Sequence, residues 1–120
     1  MRRLGLVLLV LVLLASLTLL GKPAFSGVYS IKGSNPGVGR YTGTLTISPR
    51  GEIYDVHWAI GTLQYAGIGI VVNDTLAVAY SNGTYTGVIA YSQRADGTLD
   101  GKWATYGGKT TLGSETATRK

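Results

Sequence analysis

From residue 27 onward the apolar residues recur at every second position, and no stretch repeats them at helical spacing. The clearest stretch is Tyr41-Thr42-Gly43-Thr44-Leu45-Thr46-Ile47-Ser48, where Tyr, Gly, Leu and Ile share one side and the Thr and Ser residues the other. Successive side chains of a strand point to opposite faces, so this pattern predicts a half-buried strand. The same alternation marks residues 53–60, with Tyr54, Val56, Trp58 and Ile60 opposite Asp55 and His57. It returns over 65–72, 76–80, 85–93, 99–105 and 112–118, and residues 28–32 open the set. Eight strands are predicted.

The segments between them carry turn chemistry: Asn35-Pro36-Gly37, Pro49-Arg50-Gly51, Asn73-Asp74, Asn82-Gly83, Asp96-Gly97 and Gly107-Gly108. Asn-Gly and Asp-Gly adopt positive φ at low cost, which suits tight hairpins between antiparallel neighbours. One strand in about twelve residues is the spacing of an all-β sandwich or barrel. Short turns leave little length for crossovers. The expected fold is therefore an eight-stranded antiparallel up-and-down meander closing as a small barrel, with a β-sandwich as the alternative.

A degenerate repeat runs through this pattern. Tyr41-Thr42-Gly43, Tyr65-Ala66-Gly67 and Tyr85-Thr86-Gly87 each open a strand, and Gly27-Val28-Tyr29 and Gly101-Lys102-Trp103 echo the pairing. Residues two apart share a face, so each Gly leaves room beside an aromatic ring or lets the strand coil sharply. Packing is the main expectation for the repeat, and a ligand feature the lesser one.

Ahead of the strands, Arg2 and Arg3 precede residues 4–20, in which only Gly5, Ser16 and Thr18 are not apolar. This is the pattern of an export signal, predicted as a hydrophobic helix, with cleavage after Ser26 or alternatively after Gly21. An uncleaved membrane anchor is the competitor, since 17 residues is near the lower limit for a span. Residues 1–26 are thus expected to be leader or anchor and residues 27–120 a single domain, periplasmic, extracellular or held at the membrane. With no Cys in 120 residues, that domain must stand without disulfides.

Charge narrows the partners. The whole chain carries +5, but Arg2, Arg3 and Lys22 lie in the leader, leaving eight scattered basic residues against six acids. Such a surface gives no steering field for nucleic acid. One His and no Cys do not make a transition-metal site, and no cofactor is expected. Asp55 and His57 share a face, yet no Ser is fixed opposite them; the polar face of a strand explains both. Glu115, among Gly113, Ser114, Thr116 and Ala117, is expected to point inward as a polar anchor, paired with Arg40 or a Tyr hydroxyl, with simple exposure and contact with a ligand as the alternatives. Two Trp and eight Tyr supply rings with polar handles that fill a core or wall a pocket.

Together, the 41–43 strand, Tyr54-Asp55-Val56-His57-Trp58, Gly67-Ile68-Gly69, Leu76-Ala77-Val78-Ala79-Tyr80 and the Gly97-Thr98-Leu99-Asp100-Gly101-Lys102-Trp103 element, followed by Gly113-Ser114-Glu115, resemble a group of small exported bacterial proteins of unassigned function. The likeness covers roughly residues 40–117. More distantly, the Gly-x-Trp element and strand count are similar to the calycin superfamily of avidin-like and lipocalin-like barrels, many of which bind small ligands or proteins. Gly101-Lys102-Trp103 lies near the end of the chain, whereas lipocalins carry this element in the first strand. No biotin-contact residues are matched.

The expectation is a non-enzymatic exported barrel that binds a small apolar or aromatic ligand, or a partner protein, with Trp58, Tyr80, Tyr91 and Trp103 as pocket walls. A filled-core structural or inhibitor-like module is the alternative. A small barrel enzyme, an isomerase or hydrolase using Glu115 or the Asp55/His57 pair, comes third.

Overall fold

The computed structural model describes residues 24–120. The hydrophobic signal helix expected over 4–20, and the choice between cleaved leader and anchor, lie outside the described residues. Eight strands follow in order: β1 (Gly27–Asn35), β2 (Gly39–Arg50), β3 (Ile53–Ile60), β4 (Leu63–Val72), β5 (Thr75–Ser81), β6 (Thr86–Gln93), β7 (Leu99–Thr105) and β8 (Gly113–Arg119). Each pairs antiparallel with the next, and β8 pairs back onto β1, with Ile31 opposite Ala117, so the meander closes into a barrel. Closure removes both sheet edges and, with them, the sandwich alternative.

The expected bounds of β3 and β7 match. β1 and β2 run further than the alternation suggested, because their ladder continues to the Asn35–Gly39 pair around Pro36-Gly37-Val38. β4 starts at Leu63, since Gly61, with a φ of 60°, lets Gly61-Thr62 close a two-residue turn that pairs Ile60 with Leu63. At the other end Asn73 and Asp74 both take positive φ, the backbone of a type I′ hairpin.

The alternation decides which residues enter the barrel. Leu45, Ile47, Val56, Leu76, Val78 and Leu99 are buried inside, while Thr42 and Ser48 of β2 and His57 of β3 are exposed outside. Outside on β4 and β6, Ile68, Ile70, Val72 and Val88 are also exposed. The two ends differ. The turns β2–β3, β4–β5 and β6–β7 share one end with both ends of the domain, and there the aliphatic core is packed shut. Phe25 belongs to that core and meets Tyr54 edge-on at 6.4 Å. Tyr29, fully buried, donates a 2.6 Å hydrogen bond to the Phe25 carbonyl. Arg119 lies over the Tyr29 ring and donates to the carbonyls of Ser26 and Ala24. Ala24, Phe25 and Ser26, which cleavage after Ser26 would remove, are therefore built into the closed end; cleavage after Gly21 would keep them.

Inner glycines shape the wall. Gly43, Gly67 and Gly87, one from each Tyr-x-Gly repeat, lie against the carbonyl oxygens of Ala59, Ala79 and Ala104 on the next strand, with no room for a Cβ. A second set faces rings across the ladder: Gly33 opposite Tyr41, Gly101 opposite Tyr91 and Gly113 opposite Trp103. Each ring occupies the place that a Cβ would take. Bare backbone beneath a large ring is how a small barrel alternates small and large residues to fit its interior.

Candidate functional site

The other end of the barrel is open. Between the turns β1–β2, β3–β4, β5–β6 and β7–β8 lies a cavity of about 550 Å³. Its walls are aromatic: Tyr41 from β2, Trp58 from β3, Tyr65 from β4, Tyr80 from β5 and Trp103 from β7. The rings pack edge to face, Trp58 on Tyr80 at 5.7 Å, Tyr65 on Tyr80 at 5.8 Å and Tyr41 on Trp103 at 6.3 Å. Such contacts let each ring support its neighbour without filling the space between them. Tyr80 is held further by its hydroxyl, 3.0 Å from Thr105 Oγ1 and donating to the Ala104 carbonyl at 3.3 Å. Pro36 and Val38 of the first turn and Lys109 of the last stand at the mouth.

Glu115 also reaches the cavity lining, and it is only 4% exposed. Three neutral donors converge on its carboxyl group. Tyr41 donates to Oε1 at 2.8 Å. Tyr91 donates to Oε2, and the Trp58 indole N–H is shared between Oε2 at 3.3 Å and the Tyr91 hydroxyl at 3.2 Å. Burial pushes the Glu115 pKa up, against the hydrogen bonds from Tyr91, Tyr41 and Trp58, which pull it down. Burial, and then the neighbouring Glu115 charge, drive the Tyr41 and Tyr91 hydroxyls far above the ordinary phenol range, so both stay protonated and remain donors. The Trp103 indole N–H is buried without a hydrogen-bond partner among the described residues.

Of the four pocket residues expected from sequence, Trp58, Tyr80 and Trp103 line the cavity. Tyr91 does not. It lies fully buried beneath, above Gly101, and bears on the cavity only through Glu115. Glu115 points inward and takes tyrosine hydroxyls as its partners. Arg40 is exposed, out of phase with the inward Tyr41, and makes no contact with Glu115 among the described residues. Asp55 and His57 stand on the outer face with separate partners: Asp55 binds Arg50 at 2.7 Å and His57 meets Gln64 at 3.1 Å. Tyr41, Tyr65 and Tyr85 were missed as lining residues, although the repeat that opens three strands at one end of a meander carries that signal.

No protein-family model matches the chain, and no curated protein matches it.

Proposed function

We propose that this protein is a non-enzymatic barrel that binds one small, largely apolar or aromatic molecule in its open half, as an exported carrier or sensor. The observation that carries this reading is the aromatic cavity of about 550 Å³. That volume falls in the usual range for small-molecule sites, roughly 300–1,000 Å³, and its lining of rings with a few fixed polar groups is typical of them. A filled-core module acting through its surface would have no use for an unfilled half, so the cavity favours a small ligand over a protein partner. Nor does the site favour catalysis: Glu115 is the only carboxylate among the described lining residues, and the Asp55 and His57 side chains face away from the cavity. Export, in turn, rests on the Arg2-Arg3 start and the apolar run over 4–20.

Native mass spectrometry of the purified protein against a mixed library of small aromatic and aliphatic molecules tests the reading. Binding at one-to-one stoichiometry, with a change in Trp58 and Trp103 fluorescence, is the expected result. A clean unliganded mass and unmoved fluorescence across the library would sink it.

A further inference from the structure

The cavity combines faces rich in π electrons with a buried acid, and the chemistry of the pair is more specific than that of an apolar pocket. Trp58 N–H can only donate, and the Tyr41 and Tyr91 hydroxyls lie where each can donate, so all three neighbours of Glu115 can serve a carboxylate at once. A carboxylate has about four acceptor positions. Oε2 accepts two hydrogen bonds and Oε1 one, which leaves one position on Oε1.

No Lys, Arg or His among the described residues pairs with this carboxylate; the two ion pairs there, Arg50–Asp55 and Arg94–Asp100, are on the surface. The groups facing Glu115 are Tyr41, Trp58 and Tyr91, all neutral, and on the flanking strands Gly33 and Gly101 stand directly opposite it. A buried charge without a counterion is costly unless one arrives. The faces of Trp and Tyr rings attract cations within about 6 Å of the ring centre.

Resting on the reading of the cavity as a ligand site, we infer that its ligand is an organic cation: a protonated or quaternary amine on an apolar body, with the cationic head among the Trp58, Tyr41 and Trp103 rings beside Glu115. A bare metal ion does not fit, because hard cations require about six oxygen ligands and this site offers a single carboxylate. Lys109 at the mouth is exposed, so its repulsion is screened over about 8–10 Å in physiological salt. It acts on the rate of entry more than on the bound state.

The test uses three probes of one skeleton, phenylpropylammonium, phenylpropanol and phenylpropanoate, titrated into the natural chain by calorimetry at neutral pH. The ammonium compound is expected to bind at least about tenfold more tightly than either other probe, a difference of about 1.4 kcal/mol. Glu115→Gln should cut that preference to within about threefold, as expected for loss of the charge component. Equal affinities, or a preference for the alcohol or the carboxylate, would overturn the cation inference and leave the ligand reading standing. Binding of none of the three at millimolar concentration would overturn the cation inference, while the library result decides the ligand reading itself. The preference in the natural chain is informative even if the Gln variant fails to fold.

Discussion

The two halves of the barrel are built on the same alternation and the same antiparallel ladder, yet one is solid and the other hollow. In the closed half, inward positions hold branched aliphatics such as Leu45, Ile47, Leu76 and Val78, whose shapes interdigitate at close packing. In the open half, they hold rings that stand over glycines or lean edge-on against each other. Tyr41 and Trp103, seated on Gly33 and Gly113, lie against the backbone of the wall, and space is left at the centre. The hollow therefore comes from the kind of apolar residue as well as from the amount of apolar surface.

Truncation should expose the contrast most strongly. Leu45→Ala and Leu76→Ala, both at 0% exposure, are expected to lose about 3 kcal/mol each, within the 2–5 range of buried Leu→Ala changes. Tyr65→Ala should lose less than about half of that, because its ring already borders unfilled space. Urea unfolding of the three variants makes the comparison. A Tyr65 loss as large as the leucine losses would mean that the open half is packed like the closed one.

Next in size is removal of the plug. A chain starting at Gly27 lacks the buried Phe25 ring and the carbonyl acceptors of Tyr29 and Arg119. Burial of one Phe contributes about 1.5–3 kcal/mol, and that is the expected drop relative to a chain starting at Ala24. Equal melting temperatures would place Phe25 outside the cooperative core. The result also bears on processing, since cleavage after Ser26 discards the plug and cleavage after Gly21 keeps it.

A smaller effect comes from Glu115, which sits where the halves meet. Its pKa is raised in the folded state by burial, so the native chain holds that proton more tightly than the unfolded chain does. Its contribution to stability is therefore fully present below the unfolded value and is lost as pH rises through the folded one. The slope is at most about 1.4 kcal/mol per pH unit. Asp55 and Asp96 are shifted the other way, Asp55 by the hydrogen bonds it accepts from Arg50 and Asp96 by those from Thr98. Only the difference between the profiles of the natural chain and Glu115→Gln isolates the buried acid. Without ligand, that difference is expected to grow in favour of the Gln variant from the ordinary glutamate range upward. Parallel profiles would mean that burial of this carboxylate is fully offset by its three donors.

Much of this was legible in the residues. Period-two alternation and turn dipeptides specify eight strands, because a half-buried strand must sort its side chains by face, and short turns leave only a meander. The hollow was not, because alternation says that Tyr65 and Leu76 both face inward and is silent on whether facing residues meet. Tyr91 illustrates the limit: it follows the same rule as Tyr80, but its height along β6 sets it under Glu115 and away from the cavity. Height depends on strand stagger around the barrel, which no single strand encodes. For Glu115 the inward direction and the tyrosine partners follow from its phase and from the rule that buried charge needs partners. The choice of Tyr41 over Arg40 follows from phase too, since adjacent residues of β2 point to opposite faces. The Tyr-x-Gly repeat divides its labour: the glycines admit the carbonyl of the next strand, and the tyrosines line the cavity.

The smallest change in stability is expected at Ile60, and it is read against the same substitution in the packed half. Ile60 of β3 lines the cavity, and Val78 of β5, at 2% exposure, is enclosed in the packed half; both point inward. Replacing either with Phe adds a ring. At Val78 that ring has no void to enter and must displace Leu76 or the strand bearing Gly69, a strain of about 1–3 kcal/mol. At Ile60 it can extend into unfilled space, so the change in stability should stay within about 0.5 kcal/mol. Ligand uptake should respond in the opposite order, falling sharply for Ile60→Phe and little for Val78→Phe. Chemical unfolding and native mass spectrometry on the same two proteins read both quantities. If Ile60→Phe is as destabilising as Val78→Phe, the cavity is not available space, and the ligand reading falls together with the contrast between the halves.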